Sequence, residues 1–374
     1  MEIFDQNSSE RVLSDRVLMG PGPSNPYPEV AQAFTRPLLG HLDSDFIALL
    51  DETCDRLRTV FCTDNPLTFP VSGTGSAGME AAFVNTIGEG DAVVVGVNGV
   101  FGQRMCDVAA RCGATVVAVE AEWGTPIDPQ RLLDAHPDPT LIAVVHAETS
   151  TGVRNDLAEL GAGKGDALLL ADCVTSLAGI DVRLDDWGVD IAYSGTQKCL
   201  GVPPGLSPLS VSPRAVDRLL ERPRSWYFDL QMIADYVTGS GARAYHHTAP
   251  ISMIYALHAG LGAVLDEGLD AVHARHQQCG DLLQAGLEAR GFELVAPATH
   301  RLPQLTSVRV PESRLPDSAT EADIREELLS RCGIEIGGGL GAFAGNCWRI
   351  GCMGHTARPR NVTLLLAALD ELLV

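Results

Sequence analysis

Continuous apolar runs alternate with helix-length amphipathic stretches through the middle of the chain. Residues 92–97, 115–119, 141–145, 167–171 and 190–194 are such runs; they recur roughly every 20–25 residues, each followed by polar or glycine-rich residues. Runs that do not alternate apolar with polar positions belong to strands covered on both faces, as in a parallel sheet. The stretches 101–112 and 129–136 have helical spacing and fit between them, so the pattern predicts a βαβ series with helices on both sides of the sheet. Beyond Pro250 the period becomes helical over 251–268 and again over 269–290. The rest mixes strand-like 307–310 and 347–351 with an acidic helix over 321–331 and a closing helix over 361–373. The expected organisation is an N-terminal arm (1–20), a large α/β domain (21–250), a linking helix (251–280) and a small α+β C-terminal domain (281–374). A chain of 374 residues has room for two or three domains of about 100–200 residues each.

Composition narrows the function. Hydrophobic residues make up 45% of the chain and charged ones 20%, which excludes disorder over most of its length. The formal net charge of -21 repels phosphate backbones and anionic membrane surfaces, so neither nucleic acid nor membrane is an expected partner. No run reaches the ~18 apolar residues of a membrane helix. The ten cysteines form no C-x-x-C pair and the first residues are acidic, without the basic and apolar stretches of a signal peptide. The C-terminal Glu371-Leu-Leu-Val374 carries no peroxisomal or prenylation signal, and a cytoplasmic location with reduced thiols is expected. Only Lys164 and Lys198 among the 27 basic residues are lysines. A lysine kept where arginine would serve for charge points to an amine that must lose its proton, which a guanidinium cannot do.

Gly73-Thr-Gly75-Ser-Ala-Gly78 matches G-x-G-x-x-G between an apolar stretch and a helical one. A dinucleotide fold needs an acid at the end of the next strand, but that strand ends in Val97-Asn98-Gly99. A backbone cradle for one phosphate at a helix N-terminus fits better, with Thr74 and Ser76 adding hydroxyls; a dinucleotide loop and a merely tight turn stay open on these residues alone. The segment Gly161-Ala-Gly-Lys164-Gly165 lacks the residues of a nucleotide loop and reads as an exposed connection. His246, His247 and the cysteines have no metal-site spacing, so no metal is expected.

The decisive stretch is Ser194-Gly-Thr-Gln-Lys198, at the C-terminal end of one predicted strand, with Asp172 ending the strand before it. Ligands bind at these ends in α/β sheets. A lysine amine and an acid so placed are what pyridoxal phosphate chemistry requires: a Schiff-base amine that then shuttles a proton, and an acid that keeps the pyridine nitrogen protonated. An ordinary strand-end acid beside a solvated lysine is the alternative.

At this point the chain resembles the class V aminotransferases, nearest the alanine–glyoxylate and serine–pyruvate (serine–glyoxylate) group. Met19-Gly-Pro-Gly-Pro-Ser-Asn25, Gly40-His-Leu-Asp43, Asn65-Pro-Leu-Thr68, Ser72-Gly-Thr-Gly75, Glu148-Thr-Ser-Thr-Gly152, Ala171-Asp-Cys-Val174, Ser194-Gly-Thr-Gln-Lys198, Tyr245-His-His-Thr248 and Trp348-Arg-Ile-Gly351 occur in that family's order. The resemblance implies a fold type I transferase, α/β, with a mainly parallel seven-stranded-type sheet. It also implies pyridoxal 5'-phosphate as cofactor, with Lys198 carrying it and Asp172 at its ring nitrogen. Val174 and Phe101 would cover the two ring faces, and Thr149 would approach the ring hydroxyl. Thr74, Gly75, Ser76 and Gln197 would hold the phosphate, joined by Tyr245 and Thr248 from the other subunit of a homodimer. Arg349 would grip the substrate carboxylate. For Arg349 the alternative is a structural ion pair, for Phe101 a core aromatic, and for Tyr245 and Thr248 a helix-capping turn.

Two positions depart from the family pattern: Phe101 stands where tryptophan is common, and Ser76 where histidine is. The expected activity is ping-pong transamination between a small amino acid (alanine, serine or a glycine-like donor) and glyoxylate or pyruvate. The alternatives are another class V activity, a β-lyase or a pyridoxamine-using transaminase, and, from a different class, an NAD(P)-dependent oxidoreductase.

Overall fold

A computed structural model describes residues 13–238 and 243–373. Residues 1–12 of the expected arm lie outside the described residues. A seven-stranded sheet is built from β1 (Leu67–Ser72), β2 (Ala92–Val97), β3 (Thr115–Glu120), β4 (Leu141–Val145), β5 (Leu168–Asp172), β6 (Ile191–Tyr193) and β7 (Leu206–Val211). The strands lie in the order β1-β7-β6-β5-β4-β2-β3. All run parallel except β7, which is antiparallel to both of its neighbours. The five apolar runs supply β2 to β6; Val93, Val94, Val95, Leu168, Leu169 and Leu170 are wholly or almost wholly buried, whereas β3 lies at the sheet edge and buries only Val119, so cover on both faces does not extend to it. Each such buried side chain contributes about 1.5–3 kcal/mol relative to leaving it in water.

Helices α1 (Ser44–Phe61), α2 (Gly75–Thr86), α3 (Val100–Arg111), α4 (Ile251–Glu267), α5 (Leu269–Ala289), α6 (Glu321–Cys332) and α7 (Pro359–Leu372) are the long ones. Asp43 starts α1 by accepting the Asp45 amide at 2.9 Å. Thr320 and Asp323 start α6 with a reciprocal capping box, which satisfies amides that the first turn leaves without partners.

A second sheet follows in the C-terminal part: β8 (Glu293–Leu294), β9 (Leu305–Arg309), β10 (Gly337–Gly338) and β11 (Cys347–Gly351), in the order β8-β9-β11-β10. It has its own core, in which fully buried Trp348 packs with Leu283, Leu328 and Leu365. Met19 belongs to this core, and the short strand Val17–Leu18 pairs parallel with Ile334–Glu335. The chain thus enters through the C-terminal layer before crossing to the large sheet, and that crossing carries residues 20–25 past the strand ends.

One local expectation is corrected. The segment 161–165 is not simply an exposed connection: helix Ala158–Gly163 occupies most of it. Lys164 folds inward, and its amine pairs with the buried carboxylate of Asp190, which Arg214 also contacts at 3.1 Å. Among the described residues no helix is long and apolar enough to cross a membrane, and no group of acidic, histidine or cysteine side chains could hold a metal ion.

Candidate active site

The C-terminal ends of β5 and β6 place the acid. Asp172 is the last residue of β5, and the parallel register sets it beside Tyr193 of β6, on the same face of the sheet. The Tyr193 hydroxyl donates to Asp172 Oδ2 at 2.8 Å, and the Val174 amide donates to Oδ1 at 2.8 Å. Asp172 is buried, and burial pushes its carboxyl up to about 6, against the pull of these two hydrogen bonds. Burial and the adjacent Asp172 charge hold the Tyr193 phenol well above its ordinary value, so it stays a donor.

Lys198 follows β6, is 8% exposed, and donates from its amine to the Pro21 carbonyl. The crossing segment wraps it further: Ser24 Oγ donates to the Lys198 carbonyl at 2.8 Å and the Ser24 amide to that of Gln197 at 2.9 Å. Gly22 adopts φ +109°, a conformation that favours glycine, and a Cβ there would push the lysine chain aside, lying 2.7 Å from its nitrogen. Burial lowers the Lys198 amine to about 8, helped by the like charge of Arg349 and opposed by Asp172. Protonation fills below that pH and the nucleophilic form above it. In the cofactor-free protein we therefore predict that Lys198 reacts with an amine-modifying reagent along a titration with its midpoint near 8, against roughly 10.4 for an unperturbed lysine. Arg349→Gln should move that midpoint upward, because it removes a repelling cation. Peptide mass spectrometry reads both; an ordinary midpoint in the wild-type protein would contradict the burial of the amine.

Arg349 lies in β11, with Ser307 and Gly337 opposite it on the flanking strands. It is 8% exposed. Its guanidinium donates to the Gly338 carbonyl at 2.8 Å and to the Thr149 carbonyl at 3.4 Å. Burial lowers it to about 10. Among the described residues no carboxylate forms a salt bridge with it, so the structural ion pair is not what holds Arg349 in place.

The loop from β1 into α2 brings together Thr74, Gly75 and Ser76. Thr74 is the N-cap of α2 without making a side-chain cap, and no acid occupies the first turn, so amides and hydroxyl are left to an outside acceptor. Thr74 and Ser76 are exposed and Gly75 is buried. A Cβ on Gly75 would lie 2.7 Å from Val174 Cγ2, which places the α2 start against the residue next to the Asp172 loop. Gln197 Oε1 is buried without a hydrogen-bond partner. Arg104 donates to Ser76 Oγ at 3.4 Å, and its guanidinium lies 4.8 Å from the centre of the half-buried Phe101 ring. Thr149 Oγ1 and Thr175 Oγ1 share a hydrogen bond of 2.5 Å.

Tyr245 and Thr248 lie on either side of His247, whose Nε2 is 3.3 Å from Ser72 Oγ. Their hydroxyls are 3.3 Å from each other, Tyr245 is 57% exposed, and among the described residues neither bonds to Lys198, Asp172 or Arg349 of the same chain.

Sequence reasoning assigned no part to Tyr193, Glu148, Thr175, Pro21 or Arg104. Strand register is the signal for Tyr193, since Asp172 and Tyr193 end consecutive parallel strands. For Glu148 the signal is an acid three residues beyond a fully apolar strand. The dinucleotide reading of the α2 loop loses its last support at Asn98, whose amide nitrogen is bound to the Thr125 carbonyl at 2.8 Å and Asn155 Oδ1 at 3.1 Å.

The family profile described as "Aminotransferase class-V" matches residues 26–341. A solved alanine–glyoxylate aminotransferase from Nostoc sp. has a TM-score of 0.93 and 42% identity, covering 99% of each chain. The (S)-ureidoglycine–glyoxylate transaminase of Bacillus subtilis is 35% identical over 96% of this chain and 91% of its own. The alanine–glyoxylate aminotransferase of Drosophila melanogaster is 37% identical over 96% and 92%.

Proposed function

The chain belongs to the class V aminotransferases, pyridoxal-phosphate-dependent transaminases, and from that premise we propose that it transfers the amino group of a small amino acid to glyoxylate or pyruvate. Alanine, serine and glycine-like compounds are the proposed donors. One observation carries this reading: a buried lysine amine, lowered to about 8, lies near enough to a buried arginine without a salt-bridge partner among the described residues to feel its charge. All three relatives described above carry glyoxylate in their names, which favours it as acceptor.

The residues fit the cofactor. The unsatisfied amides at the start of α2 and the hydroxyls of Thr74 and Ser76 form a donor-rich end suited to a phosphate, and the side-chain amide N–H of Gln197 would add a donor there. Tyr245 and Thr248 of the partner subunit would complete it in a homodimer, which accounts for their exposure in one chain. When bound, the cofactor supplies a sink for the electrons left on the substrate Cα as its proton departs. Lys198 would hold it through its amine, and the same amine, lowered to about 8, would serve as the base that moves the Cα proton. Asp172, fixed by Tyr193 and the Val174 amide, keeps a proton on the ring nitrogen. The Thr149–Thr175 pair would offer a hydroxyl to the ring oxygen, and Val174 and Phe101 would keep water from the ring. Arg349 binds the substrate carboxylate through two parallel N–H bonds, so amino acid and oxo acid use one grip in the two halves of a ping-pong cycle. The ten cysteines are all free thiols, in keeping with the cytoplasm as the proposed compartment.

Half-reaction spectra across a panel of donors and acceptors test this reading. Alanine, serine or a glycine-like amine should convert the bound cofactor, with glyoxylate or pyruvate reversing the change. Ureidoglycine belongs in the panel because the Bacillus subtilis relative is named for it. Arg349→Lys keeps the charge and loses the fork, so KM for both amino acid and oxo acid should rise about 10- to 100-fold with the cofactor spectrum unchanged. Unchanged substrate affinities would remove Arg349 from the carboxylate site, and release of products other than an oxo acid would point to a β-lyase.

A further inference from the structure

The carboxylate of Glu148 is fully buried and takes no part in the chemistry above. It nonetheless accepts four hydrogen bonds: the Ser150 hydroxyl at 2.6 Å and the Ser150 amide at 3.0 Å reach Oε1, and the amides of Phe101 at 3.2 Å and Gly102 at 3.3 Å reach Oε2. The Phe101 and Gly102 amides belong to the first turn of α3, whose N-cap Gly99 supplies no side-chain cap and whose first turn contains no acid. Ser150 Oγ in turn accepts the Val100 amide at 2.9 Å. Three orphan amides of α3 are therefore capped from a turn about 50 residues away in sequence. Gly99 is shaped by this contact: a Cβ there would lie 2.4 Å from both Glu148 Cδ and Ser150 Oγ.

The same turn holds the other wall of the pocket. The Glu148 carbonyl accepts the Gly152 amide at 2.8 Å, closing the turn around Thr149, whose carbonyl receives Arg349 and whose hydroxyl meets Thr175. Glu148 is also the anion whose charge acts on Arg349, favouring its protonated form against burial. A buried carboxylate with four donors and no salt-bridge partner among the described residues is costly unless its geometry is used, and here, together with the Ser150 hydroxyl, it ties the 148–152 turn to the start of α3.

We propose that Glu148 is a positioning residue that locks the Phe101-bearing end of α3 to the Thr149 turn, so that the ring wall and the Arg349 grip keep a fixed distance across the substrate pocket. This rests on the transaminase reading for its kinetic consequence, and the clamp itself is measurable without it.

In cofactor-free protein, hydrogen exchange resolved by mass spectrometry should show the Val100–Gly102 amides of Glu148→Gln exchanging about tenfold or more faster than in wild type, because the amide nitrogen of Gln cannot accept from two donors. In the loaded enzyme, Glu148→Gln should raise KM for both amino acid and oxo acid about tenfold with kcat changed less than about threefold. The visible circular dichroism of the bound cofactor should change in amplitude as the ring wall loosens. If Glu148→Gln does not fold, Ser150→Ala decides: it removes one bond to the carboxylate and the bond from Val100, and predicts about a threefold rise in KM with faster exchange at Val100. Unchanged exchange over Val100–Gly102 in the variant that folds overturns the clamp, and a fall in kcat with KM unmoved overturns its positioning role. A wild-type protein without transaminase activity would instead overturn the proposed function and leave the exchange result to judge the clamp.

Discussion

Lys198→Ala is expected to lower transamination by about 10⁴-fold or more, since one side chain supplies both the covalent hold and the proton transfer. The cavity left behind lies among Pro21, Gly22 and Arg349, and the donors at the start of α2 are untouched. Cofactor should still bind through its phosphate, with an altered spectrum. Added small amines should restore part of the rate, because what is missing is an amine of suitable pKa in a pocket that remains. Lys198→Arg should not be a rescue: its guanidinium stays protonated where the lysine amine, at about 8, does not. Steady-state assays with and without a small amine decide this; near-normal turnover by the alanine variant alone would mean another residue carries the chemistry.

Asp172→Asn has the second largest expected effect and a second signature of opposite sign. A neutral amide cannot hold a proton on the ring nitrogen, so kcat should fall about 10³-fold. The fold should survive, because asparagine fills the same space and its oxygen can still accept the Val174 amide. In the cofactor-free protein the variant should be more stable at pH 7 and above. The folded-state carboxyl titrates near 6, above its ordinary 3.8, because burial disfavours the ionised form. Ionised Asp172 therefore destabilises the folded state above about pH 6, by a penalty on the order of 2–3 kcal/mol, and that penalty fades as pH falls through 6 towards 3.8. Melting temperatures of the two apoproteins should differ at pH 8 and converge near pH 4. A rate within tenfold of wild type would move the nitrogen partner elsewhere, and an apoprotein advantage that grows on acidification would contradict the burial account.

That pairing of lost rate with gained stability is what a functional buried acid looks like. It also shows why this part of the site could be read from the sequence. Asp172 ends an unbroken apolar run and Lys198 follows the next one by a short polar turn, and a chain with two lysines draws attention to the one beside a strand end. Four of the five strands read from the apolar runs were legible for a related reason: residues buried on both faces leave no polar alternation to confuse the pattern, whereas β3 is an edge strand marked by its valines without that burial.

The antiparallel strand β7 was not legible. Pro208 interrupts its apolar pattern, and Ser207 and Ser210 give it the polarity of a loop. In the fold those serines are satisfied internally, Ser207 by the Ser194 carbonyl at 2.6 Å and Ser210 by Asn65 and Thr68. Tyr193 and Glu148 escaped for a related reason. Tyr193 reads as one more strand residue until register sets it against Asp172. Glu148 lies 47 residues from Phe101, and only the packing of the 148–152 turn against α3 brings the two together.

The central claim is that Lys198 carries the cofactor, and the two-lysine composition makes one measurement unusually direct. Full-length protein incubated with pyridoxal phosphate, reduced with borohydride and digested should carry the added cofactor mass on the peptide containing Lys198, with the Lys164 peptide unmodified. Added mass on Lys164, or none on either lysine at saturating cofactor, would contradict the account.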